Sequence, residues 1–310
     1  PLIDPKRGRT TMPSQDETTT ASRHGRDRAT ALLQRSTSAN LTTSRAATAD
    51  AVQSLGSGSA GLIIAEGDSW FDYSIFSGIL DLLEDEHDFD VEEVASAGDT
   101  IHEMAYEDGQ LARFIRRIQK SLRRGGIPRA ILLSGGGNDV AGEKLAAMLN
   151  HAASPAPGIN EAMLAAVVDD QISLAYTRII SAVTAVCEQL VGYKVPIVLH
   201  GYDYPVPDGR GVWFIFGPWL RPSFEQRGYF DVDENTKTME VIIDRFNLML
   251  ARLVDNPDNA HITYVDLRGT LSNAPLTYES SWDNELHPSF SGFRDITARL
   301  AQVVNGFPAA

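Results

Sequence analysis

The chain alternates between two periodicities, and that alternation constrains its fold more than any other feature. Short apolar or β-branched runs occupy residues 62–65, 91–95, 130–133, 195–199 and 262–265. Stretches with helical spacing of apolar side chains lie at residues 111–122, 160–190, 235–253 and 292–304. Runs this short, bounded by turn residues, read as strands. Strands separated by long helical crossovers pair side by side, as a parallel sheet covered by helices on both faces. An α/β fold with a five-stranded parallel sheet is therefore expected over residues 59–310. In such sheets ligands bind outside the carboxyl ends of the strands, so the residues directly after each run carry the functional information.

Each of the first four runs leads into a polar motif. Gly67-Asp68-Ser69-Trp70 follows the first, and Ser96-Ala97-Gly98-Asp99 the second. Gly135-Gly136-Gly137-Asn138-Asp139 follows the third, and His200-Gly201-Tyr202-Asp203 the fourth. A fifth motif, Asp283-Asn284-Glu285-Leu286-His287-Pro288, stands just before the last helical stretch. Serine is a poor nucleophile unless a general base lies within hydrogen-bond reach. His287 is the natural base, because imidazole titrates near neutrality. A glycine such as Gly98 brings its N–H close to a developing oxyanion without a Cβ in the way, and the Asn138 amide supplies a second donor. Asp68 and Asp139 read as braces for their turns. The serine turn is not the G-x-S-x-G elbow, since position 71 is Phe.

Taken together, these motifs resemble the SGNH (GDSL-type) hydrolase superfamily, whose signature residues are Ser, Gly, Asn and His in this order. The resemblance covers roughly residues 61–307 and rests on Gly67-Asp68-Ser69, Gly98, Gly136-Gly137-Asn138-Asp139 and the segment ending His287-Pro288. It implies a flavodoxin-like, three-layer α/β/α fold. It also implies ester hydrolysis through an acyl-serine, with Ser69 as nucleophile, His287 as base, and the Ser69 and Gly98 N–H groups with the Asn138 side chain as oxyanion hole.

The chain departs from that pattern at one position. The family places an acid three residues before the histidine, where this chain has Asn284, flanked by Asp283 and Glu285. An asparagine orients the ring without offsetting imidazolium charge, and such a replacement in a triad can cost about 10⁴-fold. Three partners for His287 compete: Asp283 through a bulged turn, a backbone carbonyl, or Asp203 from the neighbouring strand end. Asp283 is the expected one.

Residues 205–231 interrupt the alternation with Trp213, Phe214, Phe216, Trp219, Phe224, Tyr229 and Phe230 among Gly and Pro. The segment is read as a lid or pocket wall. Trp70, His200, Trp213 and Trp219 are the expected substrate contacts, with a structural role for His200 as the competing reading. Residues 1–58 are rich in Thr, Ser, Ala and Arg, with eight basic and five acidic residues, hence +3 on a chain of net charge −14. Such a composition buries little surface. It predicts a disordered or partly helical segment, with a short helix near residues 28–34, or a basic arm that contacts a partner.

The overall charge argues against nucleic acid as a partner, because phosphate binding needs a basic footprint. No cofactor or metal is expected: the phosphate-loop and H-E-x-x-H patterns are missing, and the Asp231-x-Asp233-x-Asn235 run lacks the glycine of a calcium loop. The basic positions from Arg113 to Arg124 read as one exposed helix face. Cys187, the single cysteine, reads as a buried thiol. No apolar stretch reads as long enough to span a bilayer, and a cytoplasmic setting is the default expectation. The expected activity is metal-independent hydrolysis of a small-molecule carboxylic ester. Acyl transfer to an alcohol and a non-catalytic binding module on the same scaffold are the alternatives.

Overall fold

The computed structural model describes residues 12–40, 58–73, 77–107, 109–212 and 216–308. Five strands form one parallel sheet: β1 (Gly61–Glu66), β2 (Phe89–Glu93), β3 (Ala130–Leu133), β4 (Ile197–His200) and β5 (Ile262–Val265). Their spatial order is β2-β1-β3-β4-β5, every pairing parallel. This is the flavodoxin-like doubly wound order, in which the direction of winding reverses between β1 and β3. In β3 and β4 every residue is buried, so these central strands read as continuous apolar runs, as parallel strands covered on both faces must. The edge strand β2 is mostly half-buried.

The crossovers are helical. They comprise α2 (Ile79–His87), α3 (Ile101–Tyr106), α4 (Gln110–Arg123) and α5 (Glu161–Val191). Further along come α6 (Arg221–Gln226), α7 (Val232–Val254) and α8 (Phe290–Asn305). Helix α2 packs with α8, while α4 and α7 pack with α5. On α4, Phe114, Ile115, Ile118 and Leu122 are buried and Arg113, Arg116 and Lys120 are exposed, one amphipathic face each way. Asp231 caps α7 by accepting the Glu234 N–H, which is the use the chain makes of that acidic run. Cys187 lies buried in α5, where burial pushes its thiol up to about 12.

Two features differ from the sequence reading. Helix α5 runs unbroken for 31 residues, through a π-helical stretch at Ala165–Ile172, and is long and apolar enough to cross a membrane by length and composition. The sequence reading places a helix at residues 160–190 and finds no bilayer-length apolar run there, because polar residues punctuate the stretch. More than half of its most apolar window is buried inside the fold, and Arg245 of α7 binds the buried Asp169 of its π-helical stretch at 2.5 Å.

The second is an N-terminal helix, α1 (Gln15–Asn40), much longer than the short one expected near residues 28–34. It packs along α5. Ala21, Ala29, Leu32 and Leu33 are buried, Ser22 and Ser181 hydroxyls meet at 2.9 Å, and a Cβ on Gly25 would lie 2.3 Å from the Arg178 carbonyl oxygen. Small residues let the two backbones approach closely, so the contact needs few large apolar side chains. Residues 1–11 and 41–57 lie outside the described residues, as do Trp213 and Phe214.

Candidate active site

Ser69 sits in the turn that leaves β1. Gly67 opens that turn, and a Cβ there would fall 2.6 Å from the Phe71 ring and 2.8 Å from Ser134 Cβ. Its glycine answers a lack of space where the β1 and β3 ends meet. Asp68 is buried and ties three strand ends together. It accepts the Trp70 N–H at 3.0 Å, the Ser134 hydroxyl at 2.9 Å and the Tyr202 hydroxyl. Asp139 likewise braces a turn, accepting the Ile101 N–H at the start of α3 at 2.8 Å. Burial pushes its carboxyl up.

His287 reaches the serine from the other end of the chain. Its Nε2 lies 2.8 Å from Ser69 Oγ, and its Nδ1 lies 2.9 Å from Asn284 Oδ1. The same Oδ1 accepts the backbone N–H groups of Leu286 at 3.0 Å and His287 at 3.1 Å. This is an Asx-type turn, in which the side chain stands in for a backbone acceptor. An oxygen holding two N–H donors fixes the amide orientation, so Nδ1 carries the proton and Nε2 presents its lone pair to the serine hydroxyl.

The expected partner, Asp283, does not reach the ring. It is exposed, and its Oδ2 accepts the Tyr73 hydroxyl at 3.0 Å. The turn is closed by the Asp283 N–H donating to the His287 carbonyl at 3.0 Å. That closure directs the side chain of Asn284, rather than that of Asp283, beneath the imidazole. Asp203 is also elsewhere: its carboxylate accepts the N–H groups of Tyr204, Gly269 and Leu271 at 2.6–2.9 Å and fastens the loop after β5. Without a carboxylate beside it, His287 feels burial alone, which pushes its pKa down to about 3.

Sequence reasoning passed over Tyr73 and Glu285. The Tyr73 ring stacks on His287, centroids 4.4 Å apart at 23°, and its hydroxyl accepts from Asn284 Nδ2 at 3.2 Å. Glu285 is fully buried and accepts four backbone N–H groups, those of Gly209, Trp219, Leu220 and Arg221, at 2.6–3.0 Å. Burial pushes its carboxyl up and these four bonds oppose the shift. One carboxylate thus fastens the 205–231 excursion and the start of α6 to the histidine loop. A lone Glu beside a histidine carries no signal for this.

Trp70 clamps the two halves of the site: its indole N–H donates to the Leu286 carbonyl at 2.9 Å. Trp219 is half-buried and meets the His287 ring edge-on at 5.6 Å. His200, an expected substrate contact, does not line the cavity that Ser69 and Asn138 line. It is 1% exposed, stacks under Trp70 at 5.8 Å, and directs Nδ1 to the Gly201 carbonyl at 2.8 Å. The strand end that carries it lies beneath the serine turn, so its ring joins the core. Trp213 falls outside the described residues.

Ser69, Trp70 and Asn138 line one cavity. Asn138 is half-buried and donates one amide hydrogen to the Asp99 carbonyl at 3.0 Å. Gly98 adopts φ +89° in an exposed turn. That turn is bonded to the serine turn through the Ser96 N–H to the Gly67 carbonyl at 2.9 Å and the Ala97 N–H to Asp72 Oδ2 at 3.1 Å. Gly98 does not itself line the cavity.

No family model matches the chain. No curated protein matches it either. Among solved structures, it is similar to a lipase/acylhydrolase from Enterococcus faecalis, at 15% identity over 79% of this chain and 96% of that one, TM-score 0.41. A catalytic mutant of an acetylxylan esterase from Geobacillus stearothermophilus matches at 14% identity over 81% and 96%, TM-score 0.41. A member of the lipolytic G-D-S-L family from Veillonella parvula matches at 12% identity over 78% and 97%, TM-score 0.42. Likenesses this low transfer neither activity nor any residue's role.

Proposed function

We propose that the chain is a metal-independent serine hydrolase of carboxylic esters, as its resemblance to the SGNH hydrolases implies. The observation that carries this reading is the run of contacts from Ser69 Oγ to His287 Nε2 at 2.8 Å and from Nδ1 to Asn284 Oδ1 at 2.9 Å. A serine hydroxyl, a correctly tautomerised imidazole and a fixed orienter are the parts nucleophilic catalysis needs. A Cys-His-Asn arrangement shows that a neutral amide serves as orienter.

In this reading His287 Nε2 takes the Ser69 proton as Oγ bonds to the ester carbonyl carbon. The carbonyl oxygen becomes an oxyanion, facing the N–H groups of Ser69 and Gly98 and the Asn138 amide. The intermediate collapses: the C–O bond to the alcohol breaks and His287 returns its proton to the departing oxygen, leaving an acyl-serine. Water then repeats the sequence, with His287 taking its proton, and releases the acid and the free serine.

The reading is tested with Ser69→Ala and a short p-nitrophenyl ester. Loss of turnover, with far-UV circular dichroism unchanged, is expected, together with labelling of the wild type and not the variant by a fluorophosphonate. Turnover retained by the variant would sink it.

A further inference from the structure

We infer that the cavity beside Ser69 is an acyl pocket that selects short, unbranched acyl groups of about two to four carbons. The inference rests on the ester-hydrolase reading of the same serine. Its wall is apolar: Val140, Ala141, Leu220, Met239, Ile243 and Trp282 line it together with Ser69 and Asn138. Five of these six are no more than 3% exposed where α7, the turn after β3, the excursion and the start of the histidine loop meet: Val140 3%, Leu220 1%, Met239 1%, Ile243 3% and Trp282 1%.

The two carboxylates in the wall are already committed. Asp68 holds the Trp70 N–H and the Ser134 and Tyr202 hydroxyls, and Asp203 holds the N–H groups of Tyr204, Gly269 and Leu271. Neither is left to bind a polar substituent, so the pocket favours hydrocarbon. A substrate group that enters beside the serine and away from solvent is the acyl half of the ester; the alcohol must leave by the open side.

Size sets the chain length. The pocket leaves about 40 Å³ of free space. One water-sized occupant needs roughly 10–15 Å³ by this measure, so the space holds about three heavy atoms beyond the reacting carbon. The floor of the pocket is Met239 and Ile243 on α7. That helix is pinned to α5 by the Arg245–Asp169 ion pair at 2.5 Å, so the floor does not retreat to admit a longer chain. The 205–231 excursion therefore contributes Leu220 as a stop, in place of a surface for long lipid chains.

The test is a series of p-nitrophenyl esters from acetate to octanoate on the full chain, with Ser69→Ala as the blank. We expect kcat/KM to be highest between two and four carbons and at least about tenfold lower for octanoate, since one methylene in an apolar pocket is worth at least about tenfold. Met239→Ala and Ile243→Ala should each raise the hexanoate-to-acetate ratio by about tenfold, and Ala141→Leu should lower the butyrate-to-acetate ratio. A flat Ser69-dependent series in the wild type overturns the pocket and leaves the hydrolase standing. An absence of Ser69-dependent turnover at every length overturns both. The wild-type series decides the matter even where an enlarged variant fails to fold.

Discussion

Asn284 Oδ1 lies 2.9 Å from His287 Nδ1, in the place where a charged acid would otherwise stand. The contact orients the ring and supplies no negative charge, which is why burial alone sets the histidine, down to about 3. An imidazole that stays neutral that far below the ordinary histidine range keeps its Nε2 lone pair free in acid.

The first prediction follows. The acid limb of kcat/KM should fall well below pH 6.5, the ordinary value, because His287 protonates only as pH approaches its lowered pKa. Asn284→Asp places an anion beside the ring, favours the imidazolium and should move the limb upward. Asn284→Ala removes the acceptor and should cost on the order of 10²–10⁴-fold in kcat/KM. A pH–rate profile with a wild-type inflection at or above the ordinary value contradicts the account.

Tyr73→Phe keeps the stack on His287 and removes the hydroxyl that Asn284 Nδ2 donates to and that itself donates to Asp283. The amide then loses one of its two side-chain acceptors, Asp283 Oδ2 at 3.3 Å remaining. We expect kcat to fall about tenfold with KM nearly unchanged, and stability to drop by about 1 kcal/mol. Steady-state kinetics beside thermal unfolding read both.

Glu285→Gln replaces one acceptor oxygen with an amide donor that faces backbone N–H groups. A buried donor opposed by donors costs about 1–3 kcal/mol. The excursion should loosen from the histidine loop and become the first site of limited proteolysis, with a lower Tm. An unchanged cleavage pattern would show that other contacts hold the segment.

Glu66 ends β1, 1% exposed. Burial pushes its carboxyl up to about 8; the Gln110 hydrogen bond opposes this and the charge of Asp99 adds to it. Between the ordinary carboxylate value of 4.5 and about 8 the folded state therefore binds more protons than the unfolded state at this site. This contribution to stability is complete at low pH and is lost as pH rises, by up to ~1.4 kcal/mol per unit. Glu66→Gln should remove that slope, which denaturant titrations at about pH 6 and about pH 8 would measure.

The sequence carries much of this architecture because strands buried on both faces announce themselves. The runs at 130–133 and 262–265 coincide with β3 and β5. The run at 91–95 misplaces β2, which begins at Phe89, because a half-buried edge strand has no sharp apolar boundary. Ser69, Asn138 and His287 were legible because they follow strand ends or precede a helix. Asn284 was discounted for its lack of charge, whereas its position is decided by the direction a side chain takes in a tight turn. Tyr73 and Glu285 act on partners 210 and 76 residues away or on the ring they face, and no local pattern records such contacts. The length of helix α1 was hidden because its contact with α5 draws on alanine, serine and glycine beside only two leucines.

The segment from Asp283 to His287 gives four of its five side chains different destinations: Tyr73, the imidazole, the start of α6, and the serine. Surface loops ordinarily tolerate insertion and deletion. This one has no slack. A single added residue would turn orienter, anchor and base each toward the wrong neighbour, so the loop's length is as restrictive as its composition.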